Sequence, residues 1–140
     1  MLDWAKHATI GTAILLTFWT LSYAGAPEQV SIQNLVAQAP SYESHLVTLQ
    51  GVVSDLEIRP PILNYGKCRI VHGQATFTIE DGIGSLPVEV QGNCGRPLPD
   101  GVLPKNGDMV RMTAHIQMLT RDLQVRLRAK ATTITILDLK

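Results

Sequence analysis

The chain has 140 residues, the length of one domain, and its twelve basic and twelve acidic side chains cancel. An apolar share of 45% is enough for a buried core and too high for a disordered chain. Charge balance excludes a strongly basic nucleic-acid packaging protein or an acidic tail protein, and the length leaves no room for a dinucleotide-binding or barrel enzyme.

Residues 1–26 differ from the rest. From Ala8 to Tyr23 there is no charged side chain, and Ile10, Ile14, Leu15, Leu16, Phe18, Trp19 and Leu21 supply the apolar mass. Sixteen such residues fall short of the roughly 20 that span a bilayer. They suit the apolar region of an export signal, with Lys6 before it and small residues after it. Ala24-Gly25-Ala26 fits an A-x-A site, but Pro27 follows it, and a proline there hinders the peptidase. Cleavage after Ala24 is therefore the expected site. An uncleaved N-terminal anchor, holding a membrane through residues 8–23, is the alternative. Either way the expected location is exported: periplasmic or secreted, or anchored to the inner membrane. Cys68 and Cys94 then default to one disulfide. Free thiols, or a metal site using His72 and His115, are the alternatives. Gly66, Gly73 and Pro60-Pro61 oppose the helix that Cys68 and His72 would need to share a face.

The remaining chain, 27–140, is expected to form one domain. Ser31 is a helix N-cap before Ile32, Leu35, Val36 and Ala39 at helical spacing, and Pro40 should end that one short helix. Val47, Leu49, Gly51 and Val53 then alternate along a strand, with Gly51 marking a bend or bulge. Residues 56–73 form a long connection. A strand from Ala75 to Glu80 turns Phe77 and Ile79 inward. Asp81-Gly82-Ile83-Gly84 is a hairpin turn, and a strand from Leu86 to Val90 follows, with Pro87 at an edge or bulge. Residues 91–107 hold three prolines and four glycines, a second irregular stretch. Val110, Met112, Ala114, Ile116 and Met118 alternate on one face. Thr120-Arg121-Asp122 should turn tightly into Leu123, Val125, Leu127 and Ala129, and a last apolar segment runs from Thr133 to Leu137. About five strands with one small helix cannot cover a flat sheet, whereas closure into a barrel removes its edges.

Three segments, Val47-Thr-Leu-Gln-Gly-Val-Val53, Phe77-Thr-Ile-Glu-Asp-Gly-Ile-Gly-Ser85 and Gly107-Asp-Met-Val110, resemble in their order the bacterial OB-fold module of the anticodon-binding-like type. The resemblance spans about residues 31–137. It implies a mainly β, five-stranded Greek-key OB barrel with one short N-terminal helix, preceded by the signal or anchor helix. It departs from the pattern in one place: loop 91–107 stands where a helix is usual. If the hairpin centres on Ile83, partners across it sum to about 166. Cys68 and Cys94 sum to 162, so both fall near its open end.

The resemblance implies oligonucleotide binding. Arg126, Arg128 and Lys130 alternate along one face of the last long strand, where Arg111 and Arg121 are placed to extend the row and Tyr65 to offer an exposed ring. A solvated outer face of a barrel strand is the plainer reading of the same row. Of seven aromatic residues, Trp4, Phe18, Trp19 and Tyr23 lie in the leader, leaving Tyr42, Tyr65 and Phe77. Single-strand binders of this fold stack bases on such rings, so the expected affinity is weak. A protein-interaction module, similar to exported small OB-fold stress-tolerance proteins, needs no special residues. A weaker likeness, to the haem chaperone of cytochrome c maturation, implies a His beyond the barrel near a Tyr, and the chain past Lys130 has neither. His45, His72 and His115 accompany no nucleophile or phosphate-loop motif. Asp81 and Asp108 sit beside turn glycines as caps. The expectation is a binding module with no cofactor, no metal and no catalytic residue, whose partner is single-stranded nucleic acid or a protein.

Overall fold

A computed structural model describes residues 25–63, 66, 68–99, 101–121 and 124–137. The leader up to residue 24 and Tyr65 lie outside these. Five strands close a barrel: β1 (Leu46–Ile58), β4 (Ala75–Glu80), β5 (Ser85–Val90), β7 (Met109–Arg121) and β8 (Gln124–Leu137). The order around it is β1-β4-β5-β8-β7, with β7 returning to β1. β5 and β8 run parallel through Val88↔Ala129 to Val90↔Ala131, and the other four barrel pairs run antiparallel. This is the closed, mainly β barrel that the alternation implies and the OB fold that the resemblance implies.

Alternate side chains fill the lumen. Val47, Leu49 and Val53 of β1, Phe77 and Ile79 of β4, Leu86 and Val88 of β5, and Val110, Met112, Ala114 and Ile116 of β7 are all buried. β1 hands its hydrogen bonds from β7 to β4 at Val52, which pairs with both Met109 and Glu80. Gly51 precedes that corner: a Cβ there would run into the Glu80 carbonyl and stand 2.9 Å from Ile79 Cγ1. The bulge comes later, between Ser54 and Glu57, where Asp55 takes φ +51°.

The barrel's end beside the β4–β5 turn is plugged by α1 (Ile32–Ala37), whose Ile32 and Leu35 join the core. Ser31 caps it, accepting from the Asn34 N–H at 3.2 Å. Pro40 does not end the helical region. It lies in the first turn of a second short helix, α2 (Ala39–Tyr42), where its missing N–H has no intrahelical partner to lose. Before α1, Val30 N–H donates to Thr48 O and Thr48 N–H to Glu28 O, covering part of β1's free edge.

Three further corrections concern strands. Residues 120–121 are not a turn, because β7 continues to Arg121, opposite Gln124. The segment from Thr133 is not separate: β8 runs unbroken to Leu137. An extra residue, Thr132, bulges between the pairs Thr113↔Thr133 and Ala114↔Ala131. The bulge changes parity, so that Ile134 and Ile136 pack on the core after Ala129 and Ala131. The long connections also contain strands: β2 (Ile62–Leu63), β3 (Ile70–His72) and β6 (Asn93–Cys94) form a small sheet in the order β2-β3-β6. Ile58↔Ala75, Ile62↔Val71 and Leu63↔Ile70 keep one register, and Ala75↔Val90 and Val71↔Cys94 keep another. The small sheet is therefore the barrel's own β1-β4-β5 wall carried past its rim as a finger.

Cys68 and Cys94 are disulfide-bonded, with Cα atoms 5.7 Å apart, which removes the free-thiol and metal alternatives. The bond joins the finger's returning arm to β6, as the hairpin register anticipated.

Candidate functional site

The expected basic row lies on the outer face of β8, but its members differ in freedom. Arg128 is bound on two sides: one guanidinium nitrogen forms an ion pair with Glu89 of β5, and another donates to Gln117 Oε1 of β7 at 3.0 Å. Its Nε is buried without a partner among the described residues. Lys130 sits opposite the same Glu89 in the parallel ladder. Arg126 is exposed, with no ion pair among the described residues. Arg111 does not extend the row. It pairs with Thr135, six residues along β7 from Gln117, which is about 20 Å. Its guanidinium donates to Gln50 Oε1 on β1 at 3.2 Å.

The outer face beside this row carries no described aromatic ring. Phe77 is in the lumen and Tyr42 packs against the core. Thr76, Thr78, Ser85, Pro87 and Glu89 occupy the β4–β5 face instead.

What the sequence did not reveal is a groove of about 600 Å³ between α1–α2, the first half of β5 and the far end of the β7–β8 hairpin. Val36, Ala39, Pro40, Leu86, Pro87, Met118, Val125 and Leu127 line it, with Arg126 at its lip. Its origin is topological. The β5–β8 ladder begins only at Val88↔Ala129, so the strands are unpaired with each other before that point. Pro87, with no N–H to donate, falls on this open stretch of β5. The hairpin meanwhile runs on past the barrel, and among the described residues nothing covers its inner face there. Val125 and Val36, both expected to be buried, are each 55% exposed. Apolar periodicity places them on the core side but cannot say where the core stops.

A second groove, of about 680 Å³, lies between Gln29–Ser31, Gln50–Val52 and Glu80–Gly82. Asp81 organises its floor. Its Oδ1 accepts from the N–H groups of Ile83 (3.1 Å) and Gly84 (2.9 Å), and its Oδ2 from that of Ile32 (2.8 Å). Desolvation pushes this carboxyl up, but the N–H groups of Gly84, Ile32 and Ile83 together outweigh it and hold its pKa below the usual carboxylate value. All three bonds serve the turn and the helix start, so Asp81 is structural. Asp108 acts likewise, accepting from Lys105 N–H at 2.7 Å. His45 and His115 are exposed. Among the described residues no three His, Cys, Asp or Glu side chains gather as a metal set, and no helix is long and apolar enough to cross a membrane.

No family model matches the chain, and no curated protein matches it. Solved structures do. An aspartyl-tRNA synthetase from Entamoeba histolytica is 13% identical over 79% of this chain, with a TM-score of 0.50. A protein assigned as an aspartyl-tRNA synthetase in Leishmania major Friedlin is 14% identical over 85% of it, with a TM-score of 0.49. An OBody bound to hen egg-white lysozyme is 17% identical over 70% of this chain and 86% of its own, with a TM-score of 0.42. The chain spans about a fifth of each synthetase, 21% and 22%. The Entamoeba likeness is one of fold alone.

Proposed function

We propose that the chain is an exported, non-catalytic OB-fold binding module that holds an extended segment of a partner protein in the groove between β5 and β8. The groove carries this reading. Its volume falls in the range of about 300–1,000 Å³ usual for ligand sites, and its lining is mostly apolar with one charged group at the lip. The unpaired edges of β5 and β8 beside it offer backbone groups to an extended chain, the chemistry of strand addition. Arg126 favours a carboxylate in that chain. The composition of residues 1–26 and the Cys68–Cys94 bond are in keeping with an oxidising compartment outside the cytosol.

A second reading, a single-stranded oligonucleotide along Arg126, Arg128 and Lys130, draws on the fold likeness and the row itself. Against it stand Glu89, which neutralises the row's centre, and a face without rings among the described residues.

Selection of peptides from a displayed random library, followed by NMR mapping of the winners, tests the proposal. Shifts confined to residues 85–87, 118–119 and 125–127, abolished by Val125→Asp, are expected. Winners that map elsewhere overturn it. Oligonucleotide binding that weakens steeply with salt and maps to the β8 row would establish the second reading instead.

A further inference from the structure

The slot between β5 and β8 is open at one end and shut at the other. Both strands run from the open end toward Val88↔Ala129, where they begin to pair, and they stay paired to Val90↔Ala131. A strand entering between them meets that joined ladder after the length of Gln124–Arg128, about 16 Å. Its way onward is barred on both faces. Inward, Val88 and Ala129 are packed in the core. Outward, the ion pair between Glu89 and Arg128 crosses from one strand to the other at the junction, and Gln117 holds the same guanidinium from β7. An internal segment, which has to leave as well as enter, does not fill such a slot. A chain end does.

Charge selects which end. Among the described residues the groove's lining holds one charged side chain, Arg126, and no acid. Arg126 is exposed, makes no ion pair among the described residues, and stands three residues, about 10 Å, before the junction. Glu89, the acid at the junction, is already engaged by Arg128. A terminal carboxylate placed there gains a charge-assisted partner, whereas a terminal ammonium would be repelled.

We propose that the groove is a receptor for the carboxyl terminus of a partner protein, taking its last residues as a strand parallel to both β5 and β8 with the carboxylate against Arg126. This rests on the peptide reading of the groove given above and narrows it to chain ends. The polarity follows from the dead end: with the carboxylate nearest the junction, the bound segment runs the same way as its two neighbours, and parallel pairing offers it evenly spaced hydrogen bonds. Side chains of such a strand alternate, so every second one faces Leu86, Val125 and Leu127. The apolar surface they would cover includes Val125 and Val36, each 55% exposed. The preferred terminus therefore carries an aliphatic residue at every second position.

Two display libraries test the proposal, one with the random segment at a free carboxyl terminus and one with the same segment closed by fixed linkers at both ends. Winners are expected from the first, with NMR shifts at residues 85–87, 118 and 125–127. As synthetic peptides they should lose about tenfold or more in affinity when the carboxylate is amidated or when two glycines are appended after it. Arg126→Gln should weaken the free-carboxylate peptide about tenfold and leave the amidated one within about twofold, a cycle that assigns the carboxylate to that guanidinium. The amidation arm changes nothing in the protein, so it decides the matter even where Arg126→Gln perturbs the hairpin. Winners from the second library that map to the groove, or amidated peptides that bind as tightly as free ones, overturn the preference for chain ends and leave the peptide reading standing. Winners from neither library, or winners that map elsewhere, overturn both.

Discussion

Asp81 ties the β4–β5 turn to the start of α1 with three backbone hydrogen bonds, so one carboxylate holds the plug against the barrel. Asp81→Asn keeps one acceptor oxygen and puts an NH2 group opposite a backbone donor. A loss of about 2 kcal/mol is expected, seen as a fall in Tm of roughly 4–8 °C per kcal/mol. Because the folded-state pKa is lowered, the carboxylate's contribution is complete above its unfolded value, near 3.8, and fades as pH falls through the lower folded value. The wild-type advantage over Asp81→Asn should therefore shrink below about pH 4, and a melt series from pH 2 to 7 measures it. Gly51 is the other residue on which the barrel turns. Gly51→Ala should cost about 2 kcal/mol because the new methyl meets backbone, which cannot step aside. Glu89 bears on function more than on stability. Glu89→Gln releases Arg128 and leaves Lys130 facing a neutral side chain. If the basic row binds oligonucleotides, this variant binds them more tightly and with a steeper salt slope in a fluorescence-anisotropy titration. If the groove is the site, peptide affinity stays unchanged.

At the scale of elements, periodicity was a good guide wherever a strand had the lumen on one side. β1, β4 and β7 alternate over their inner stretches, and their inward residues are those their spacing implies. It failed where alternation continued past the core. Val125 and Met118 keep the inward parity of the β7–β8 hairpin but sit where the barrel no longer stands opposite, and that overrun makes the groove. It failed again at Thr132, where a single extra residue shifts parity and turns one strand into an apparent pair of segments. Threonine hydroxyls hold that kink: Thr132 Oγ1 donates to Thr113 O at 3.0 Å. The finger was hidden for a different reason. Its strands are two or three residues long, too short for any period, and its prolines and glycines read as loop. Only the two cysteines hinted that the hairpin went on. Their bond, 26 residues apart in sequence, should contribute about 3.5 kcal/mol by restricting the unfolded chain. In Cys68→Ser with Cys94→Ser the barrel amides should keep their protection in hydrogen exchange, while Ile70–His72 and Asn93 lose theirs first. Equal loosening of β4 and β5 would mean that finger and barrel unfold as one unit.

For the molecule as a whole, the charge that sums to zero is not evenly spread. The finger is basic and acid-free, the β8 row is half neutralised by Glu89, and the groove is apolar with one free cation at its lip among the described residues. Three surfaces of different chemistry on one small barrel suit a module that works by contact. The proposed export, carried by the apolar leader, would bring the domain to a compartment where the disulfide persists. The expected site of cleavage follows from local backbone chemistry. After Ala26 the next residue is Pro27, whose ring fixes φ and removes the N–H, whereas after Ala24 the next residue is Gly25, which imposes neither constraint. Intact mass measurement of the exported protein should thus give a form beginning at Gly25, with a gain of about two daltons on reduction, one hydrogen for each sulfur of the broken bond. A form that retains residues 1–24 and fractionates with membranes would mean that the leader is an anchor.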